Sequence, residues 1–198
     1  MRVIAGKYKE RKIGLIKGVD IRPTMGKVRE ALFNIILHAR FVTKVPEEIH
    51  FLDLFTGTGS VSIEALSRGF ASVTAVDIDT RCIYANLEKM AIHDEITVIS
   101  RDVVKLEESG KQYDVVFMDP PYNEKTPKYR ASQITEKSFA GLHERGWLCA
   151  GSIVILEKHK KEIFKLNHHA FELIDSRRYG MSELLTFVYI GHDLPLKE

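Results

Sequence analysis

Asp119-Pro120-Pro121-Tyr122 is a segment suited to chemistry on a weak nucleophile. Two consecutive prolines lack N–H donors and hold φ near about −65°. The turn is therefore rigid, and it presents carbonyl acceptors and a carboxylate beside an aromatic ring. A planar exocyclic amine fits such a set. Its lone pair is delocalised into a ring, so acceptors on its two hydrogens favour a geometry that turns the lone pair toward an incoming group. Tyr122 can stack on a base, a contact worth roughly 1–3 kcal/mol. A base inside a duplex is out of reach, so the target must be flipped or unpaired.

Three further acids stand where strands should end. Asp53-Leu54-Phe55-Thr56-Gly57-Thr58-Gly59-Ser60 places an aspartate four residues before the first of two glycines. Glycines permit a tight turn and close approach of a ligand to the backbone. A dinucleotide fingerprint would put a third glycine at position 62, where this chain has Ser62. An acid there suits a positive ammonium instead; a plain strand-to-helix turn without ligand is the bland alternative. Asp77 follows 18 residues past Gly59, near the roughly 20-residue spacing of a ribose-binding acid. Asp79 reads more simply as a helix cap. Asp102 suits the exocyclic amine of an adenine, or a cap of the next helix. Together the acids fit an adenosine with a cationic amino-acid tail, S-adenosylmethionine. Phe55, Ile78 and Val103 flank these groups and are assigned to the same site. The sulfonium is already activated, so neither a metal nor a covalent nucleophile is required, and the main contribution is positioning.

Such placement needs elements. Buried apolar runs near 50–55, 71–77, 96–100, 113–118 and 152–157 read as strands. Helices are expected over 25–41 with Thr24 as cap, 60–68 closed by Gly69, 80–91, 103–109 and 130–144. Segments 170–177 and 183–190 resemble an antiparallel pair. Val3-Ile4 and 13–16 suggest a small hairpin outside the main core. Alternating strand and helix implies a mostly parallel sheet covered on both faces, with ligands at the carboxyl ends of its strands. The expectation is a basic N-terminal extension, 1–24, on a catalytic domain, 25–198.

Residues 1–30 hold nine basic side chains (Arg2, Lys7, Lys9, Arg11, Lys12, Lys17, Arg22, Lys27, Arg29) against three acidic ones, whereas the whole chain carries only +2. This is the footprint of a polyanion contact, with a solvated basic tail as the alternative. No apolar run approaches a membrane span and no leader pattern opens the chain, so a soluble, cytoplasmic protein is expected. Cys82 and Cys149 read as packed thiols, His168-His169 as a surface pair and Lys158–Lys161 as a solvated face.

With these residues in view, the chain resembles the bacterial small-subunit ribosomal RNA methyltransferases that modify guanine N2, from Arg2 to about Ile190. Arg2-Val3-Ile4-Ala5-Gly6, Arg22-Pro23-Thr24, Val28-Arg29-Glu30 and Leu32-Phe33-Asn34 look like that family's first blocks. Asp53-Leu54-Phe55, Gly57, Gly59 and Glu64-Ala65-Leu66-Ser67-Arg68-Gly69 look like its cofactor loop and helix. Thr56 and Thr58 depart from it, since Ala and Ser are usual there, and so does the stretch near Ser60, where another glycine is usual. Asp119-Pro120-Pro121-Tyr122 is shared with amino-methyltransferases acting on DNA adenine, RNA guanine and protein glutamine. The resemblance implies a Rossmann-like class I methyltransferase fold with a seven-stranded sheet and a C-terminal antiparallel pair. It implies S-adenosylmethionine bound by Asp53, Gly57 and Gly59 at the methionine end, Asp77 at the ribose and Asp102 at the adenine. Asp119, Pro120, Pro121 and Tyr122 would hold a guanine of 16S ribosomal RNA, free or in an assembling small subunit. Arg2, Lys7, Lys9, Arg11, Lys12, Arg22, Thr24 and Arg29 would contact the RNA, and the protein would act as a monomer without metal. A DNA adenine methyltransferase, a nicotinamide oxidoreductase and a non-catalytic RNA-binding module are the competing readings.

Overall fold

The computed structural model describes residues 1–16, 18, 24–121 and 131–191. Its strands are β1 (His50–Leu54), β2 (Ser72–Asp77), β3 (Thr97–Ser100), β4 (Tyr113–Met118), β5 (Leu148–His159), β6 (Phe171–Tyr179) and β7 (Ser182–Tyr189). They form one sheet in the order β3-β2-β1-β4-β5-β7-β6. The first five strands of that order run parallel, and β7 lies antiparallel between β5 and β6. Among the described residues four α-helices, α1 (Gly26–His38), α2 (Ser60–Ser67), α3 (Arg81–Met90) and α4 (Ala131–Glu144), accompany the strands. The stretch expected to be helical at 103–109 is a single 3-10 turn, Val103–Lys105. Strand β5 starts earlier than the apolar run suggests. Gly151 adopts φ 88°, and the register with β4 shifts between Tyr113 and Val115. Ser152 Oγ donates to the Tyr113 carbonyl at 2.7 Å across that irregularity.

Alternate strand residues feed two layers, as the period of two requires. Phe51, Ala75, Val115, Phe117 and Ile155 pack with Leu32, Phe33 and Ile36 of α1 and with Ile63 and Ile83. Leu52, Leu54, Val76, Val116, Met118 and Leu156 pack with Phe139 and Leu142 of α4. Each of these side chains larger than alanine contributes roughly 1.5–3 kcal/mol of burial. Phe33, Phe51 and Phe70 add ring contacts with centroids 5.6–6.1 Å apart.

The N-terminal arm departs from expectation. It is no separate hairpin: an isolated bridge joins Arg2 to Lys12, and Val3, Tyr8 and Ile13 are buried in the same cluster as α1. The arm crosses α2 so closely that a Cβ at Gly6 (φ +83°) would lie 1.7 Å from the Ser67 carbonyl oxygen. Only glycine meets both the space and the backbone angle. Lys158 is also corrected. It is no solvated residue but is buried in β5, its Nζ 2.5 Å from Glu183 Oε2. No described helix is long and apolar enough to cross a membrane.

Candidate cofactor and acceptor site

The register brings the acids to one edge of the sheet. Leu54 pairs with Val76 of β2 and Met118 of β4, and Asp77 pairs with Ser100 of β3. Asp77, Asp102 and Asp119 therefore all follow or close strands at the carboxyl edge. The strand order reverses between β1 and β4, so this edge is also the switch point at which such sheets bind ligands.

The loop after β1 turns through three left-handed residues, Phe55 (φ 62°), Gly57 (φ 53°) and Gly59 (φ 77°). Asp53 fixes that shape from beneath. Its Oδ2 accepts from Thr56 Oγ1 at 2.7 Å, Ser62 N at 3.1 Å and Ser62 Oγ at 2.5 Å. Thr56, one of the departures from the family loop, thus supplies part of Asp53's hydrogen bonding. Asp77 fixes the loop from the side: Gly57 N donates to its Oδ2 at 2.8 Å, and Asp79 N to its Oδ1 at 3.0 Å. Gly59 begins α2 with no side-chain cap, and a Cβ there would meet Ile83 Cγ1 at 2.5 Å.

Burial pushes the Asp53 carboxyl up to about 6, against the Ser62 and Thr56 hydrogen bonds that favour its charge; Asp77 nearby adds to the rise. Burial raises Asp77 as well, with the Asp79 and Gly57 amides pulling it back. Among the described residues neither acid has an ion-pair partner. Two such carboxylates, one buried and one half-buried, suit a ligand that brings a cation. Beside Asp77 the apolar side chain of Ile78 is 74% exposed, a platform for a flat apolar ring. These features fit S-adenosylmethionine, whose sulfonium and ammonium are positive and whose adenosine offers ribose hydroxyls and a ring.

Other assigned residues have additional or different tasks. Asp102 Oδ1 accepts from Val104 N at 3.2 Å, so it caps the turn that follows β3. The Val103 side chain is taken up by the core, which leaves only its backbone for a ligand. Asp119 is half-buried, Pro120 buried and Pro121 exposed. Tyr122 and Arg22 lie outside the described residues. On the arm, Lys9, Arg11 and Lys12 are exposed. Lys7 Nζ lies 3.3 Å from Glu95 Oε2, and Arg2 bonds the Glu10 carbonyl at 2.9 Å. Arg29 is withdrawn as a phosphate contact. It is 1% exposed, donates to the Arg2 carbonyl at 2.6 Å, and faces Glu64 Oε2 at 3.5 Å. Thr24 is not the α1 cap; Met25 occupies that position without a side-chain bond.

Glu64 and Ser67, which the resemblance grouped with the cofactor helix, and Asn86, which sequence reading passed over, hold the arm in place. Glu64, fully buried in α2, accepts from Ile4 N at 2.8 Å and Ala5 N at 3.0 Å and pairs with Arg68 at 2.9 Å. Ser67 Oγ accepts from Tyr8 N at 2.9 Å, and its carbonyl accepts from Lys7 N at 2.7 Å. The Glu64–Gly69 block thus serves the arm. Asn86 of α3 bonds Gly14 in both directions, at 2.8 and 3.1 Å, and donates to the Thr58 carbonyl at 2.9 Å. The available signal was an asparagine spaced at helical intervals among Cys82, Ile83, Leu87 and Met90 on an apolar face.

A parallel sheet whose order reverses beside an acidic carboxyl edge, with an antiparallel β7 set between β5 and β6, is the Rossmann-like fold of the class I methyltransferases, and the methyl donor of this class is S-adenosylmethionine. The chain belongs to the family described as Conserved hypothetical protein 95, whose match spans residues 1–188; it is an RsmD-like member of the class. Ribosomal RNA small subunit methyltransferase D of Buchnera aphidicola (strain Bp) is 32% identical over 80% of this chain and 76% of its own. An uncharacterized methylase of Rickettsia prowazekii, RP545, is 27% identical over 97% and 99%. The solved structure of yhhF from Escherichia coli superposes with a TM-score of 0.74 at 23% identity, covering 97% of this chain and 99% of that one, a likeness of fold.

Proposed function

We propose that this protein transfers the methyl group of S-adenosylmethionine to the exocyclic N2 amine of a guanine in 16S ribosomal RNA, acting as a cytoplasmic monomer on the free RNA or the assembling small subunit. The observation that carries the reading is the position of Asp119. It directly follows β4, at the same sheet edge as the buried Asp53 and the half-buried Asp77, in a chain with relatives named for small-subunit ribosomal RNA methylation.

When bound, S-adenosylmethionine supplies an electrophilic methyl group. Asp77 would accept from the ribose hydroxyls, Ile78 would offer its exposed side chain to the adenine, and Asp102 would accept from the adenine amine. Asp53, Phe55, Gly57 and Gly59 would hold the methionine end, the acid's charge favouring the ammonium. Asp119 and the Pro120 region accept from the guanine amine, turning its lone pair toward the methyl, and Tyr122 stacks on the base. Arg2, Lys9, Arg11 and Lys12 meet phosphates, with Lys7 partly neutralised by Glu95.

Competition among acceptors tests this reading. The protein is incubated with labelled S-adenosylmethionine and equal amounts of 16S ribosomal RNA, small subunits and DNA. Label is expected in ribosomal RNA, whether free or assembled. Label confined to DNA would overturn the assignment.

A further inference from the structure

Between the arm and the end of α3 lies a groove of about 290 Å³, lined by Met1, Arg2, Lys12, Ile13, Gly14 and Lys89. Its floor is fixed. Ile13 is buried, and its N–H donates to the Met1 carbonyl at 3.0 Å. Gly14 is clamped by Asn86 on both its N–H and its carbonyl. The rim is cationic and no carboxylate lines it. Lys12 and Lys89 are exposed, and among the described residues neither has an ion-pair partner. The Arg2 side chain stays 54% exposed although Glu10 lies 3.7 Å away.

Two of the cations come from the arm and one from the last turn of a helix in the body of the fold. A furrow with an ordered floor and unneutralised cations on both walls attracts an anion that lies along it, and a nucleic-acid backbone is such an anion. We infer that this groove seats a backbone phosphate of the RNA substrate, and that Lys89 completes the contact begun by Arg2 and Lys12. The inference rests on the ribosomal RNA reading above and names a residue of the body as part of that surface. The groove is also registered to the chemistry. Asn86, which holds Gly14 at the groove floor, donates through the same amide to Thr58 of the cofactor loop. A strand lying in the groove is therefore indexed to the methyl donor by one side chain.

The test is the salt dependence of binding to 16S ribosomal RNA transcribed in vitro, for wild type, Lys89→Gln, Lys12→Gln and, as a control at the opposite, amino edge of the sheet before β4, Lys111→Gln. Each lost phosphate contact removes about 0.7–0.9 from the slope of log affinity against log salt. Lys89→Gln and Lys12→Gln are each expected to flatten the slope by that amount. Lys111→Gln should match wild type, and all three variants should keep wild-type S-adenosylmethionine affinity and melting temperature. A Lys89→Gln slope equal to that of wild type, with Lys12→Gln flattened, overturns the groove while leaving the RNA reading intact. Wild-type binding without salt dependence overturns the RNA reading, and the groove with it.

Discussion

Asp53 is placed where its charge is costly unless something positive arrives. Its carboxyl titrates near 6 because it is buried, whereas in the unfolded chain an aspartate titrates near about 3.9. An acid whose folded value is the higher one takes up a proton on folding. Its contribution therefore favours the folded state at acid pH and is lost as pH rises from about 4 through about 6. The gap corresponds to roughly 3 kcal/mol. In the cofactor-free protein, Asp53→Asn should gain stability relative to wild type as pH rises across that window, read as the difference between the two melting temperatures. Parallel pH profiles would remove Asp53 as a source of the pH dependence. Asp119 is tested by kinetics. If it acts on the acceptor amine near the transition state, Asp119→Ala should lower kcat by roughly 100-fold or more and change S-adenosylmethionine affinity by less than about 2-fold. An unchanged kcat at saturating RNA would exclude that role.

The elements that carry these acids were legible because buried parallel strands read as short apolar runs, as Val115-Val116-Phe117-Met118 does. The ends of those runs located Asp77 and Asp119. The arm was not legible. Its anchors are hydrogen bonds spanning 59 to 72 residues, from Ile4, Ala5 and Tyr8 to α2 and from Gly14 to α3, and no local pattern encodes them. Charge counting misled at Arg29 for the same reason, since its partner Glu64 lies in another element. Asp102 showed the limit of reading single residues: the same carboxylate suits a cap and a ligand, and the cap bond is present. The anchoring gives a test. Glu64→Ala would strip two backbone amides of their acceptor and leave Arg29 buried without its counter-charge. Breaking a buried pair in this way costs about 3–5 kcal/mol. The melting temperature should fall by about 6 °C or more. A fall of less than about 2 °C would show that the arm is held by its apolar contacts alone.

At the scale of the whole molecule, the basic arm and the acids of the sheet stand apart. The exposed cations Lys9, Arg11 and Lys12 lie on the arm, and the acids lie at the carboxyl edge of the sheet. Asn86 bridges the two regions through Gly14 and Thr58. On the proposed function, a polyanionic substrate and a cationic methyl donor are drawn to different surfaces of one fold, with the acceptor amine meeting the turn after β4. The most direct measurement of this account is the identity of the methylated nucleoside. After reaction with 16S ribosomal RNA or small subunits, the RNA is digested and its nucleosides are separated by mass spectrometry. The account predicts N2-methylguanosine, absent when Asp119 is replaced by Ala. A methyl group found on an adenine amine, or on a carbon or ribose oxygen, would contradict it.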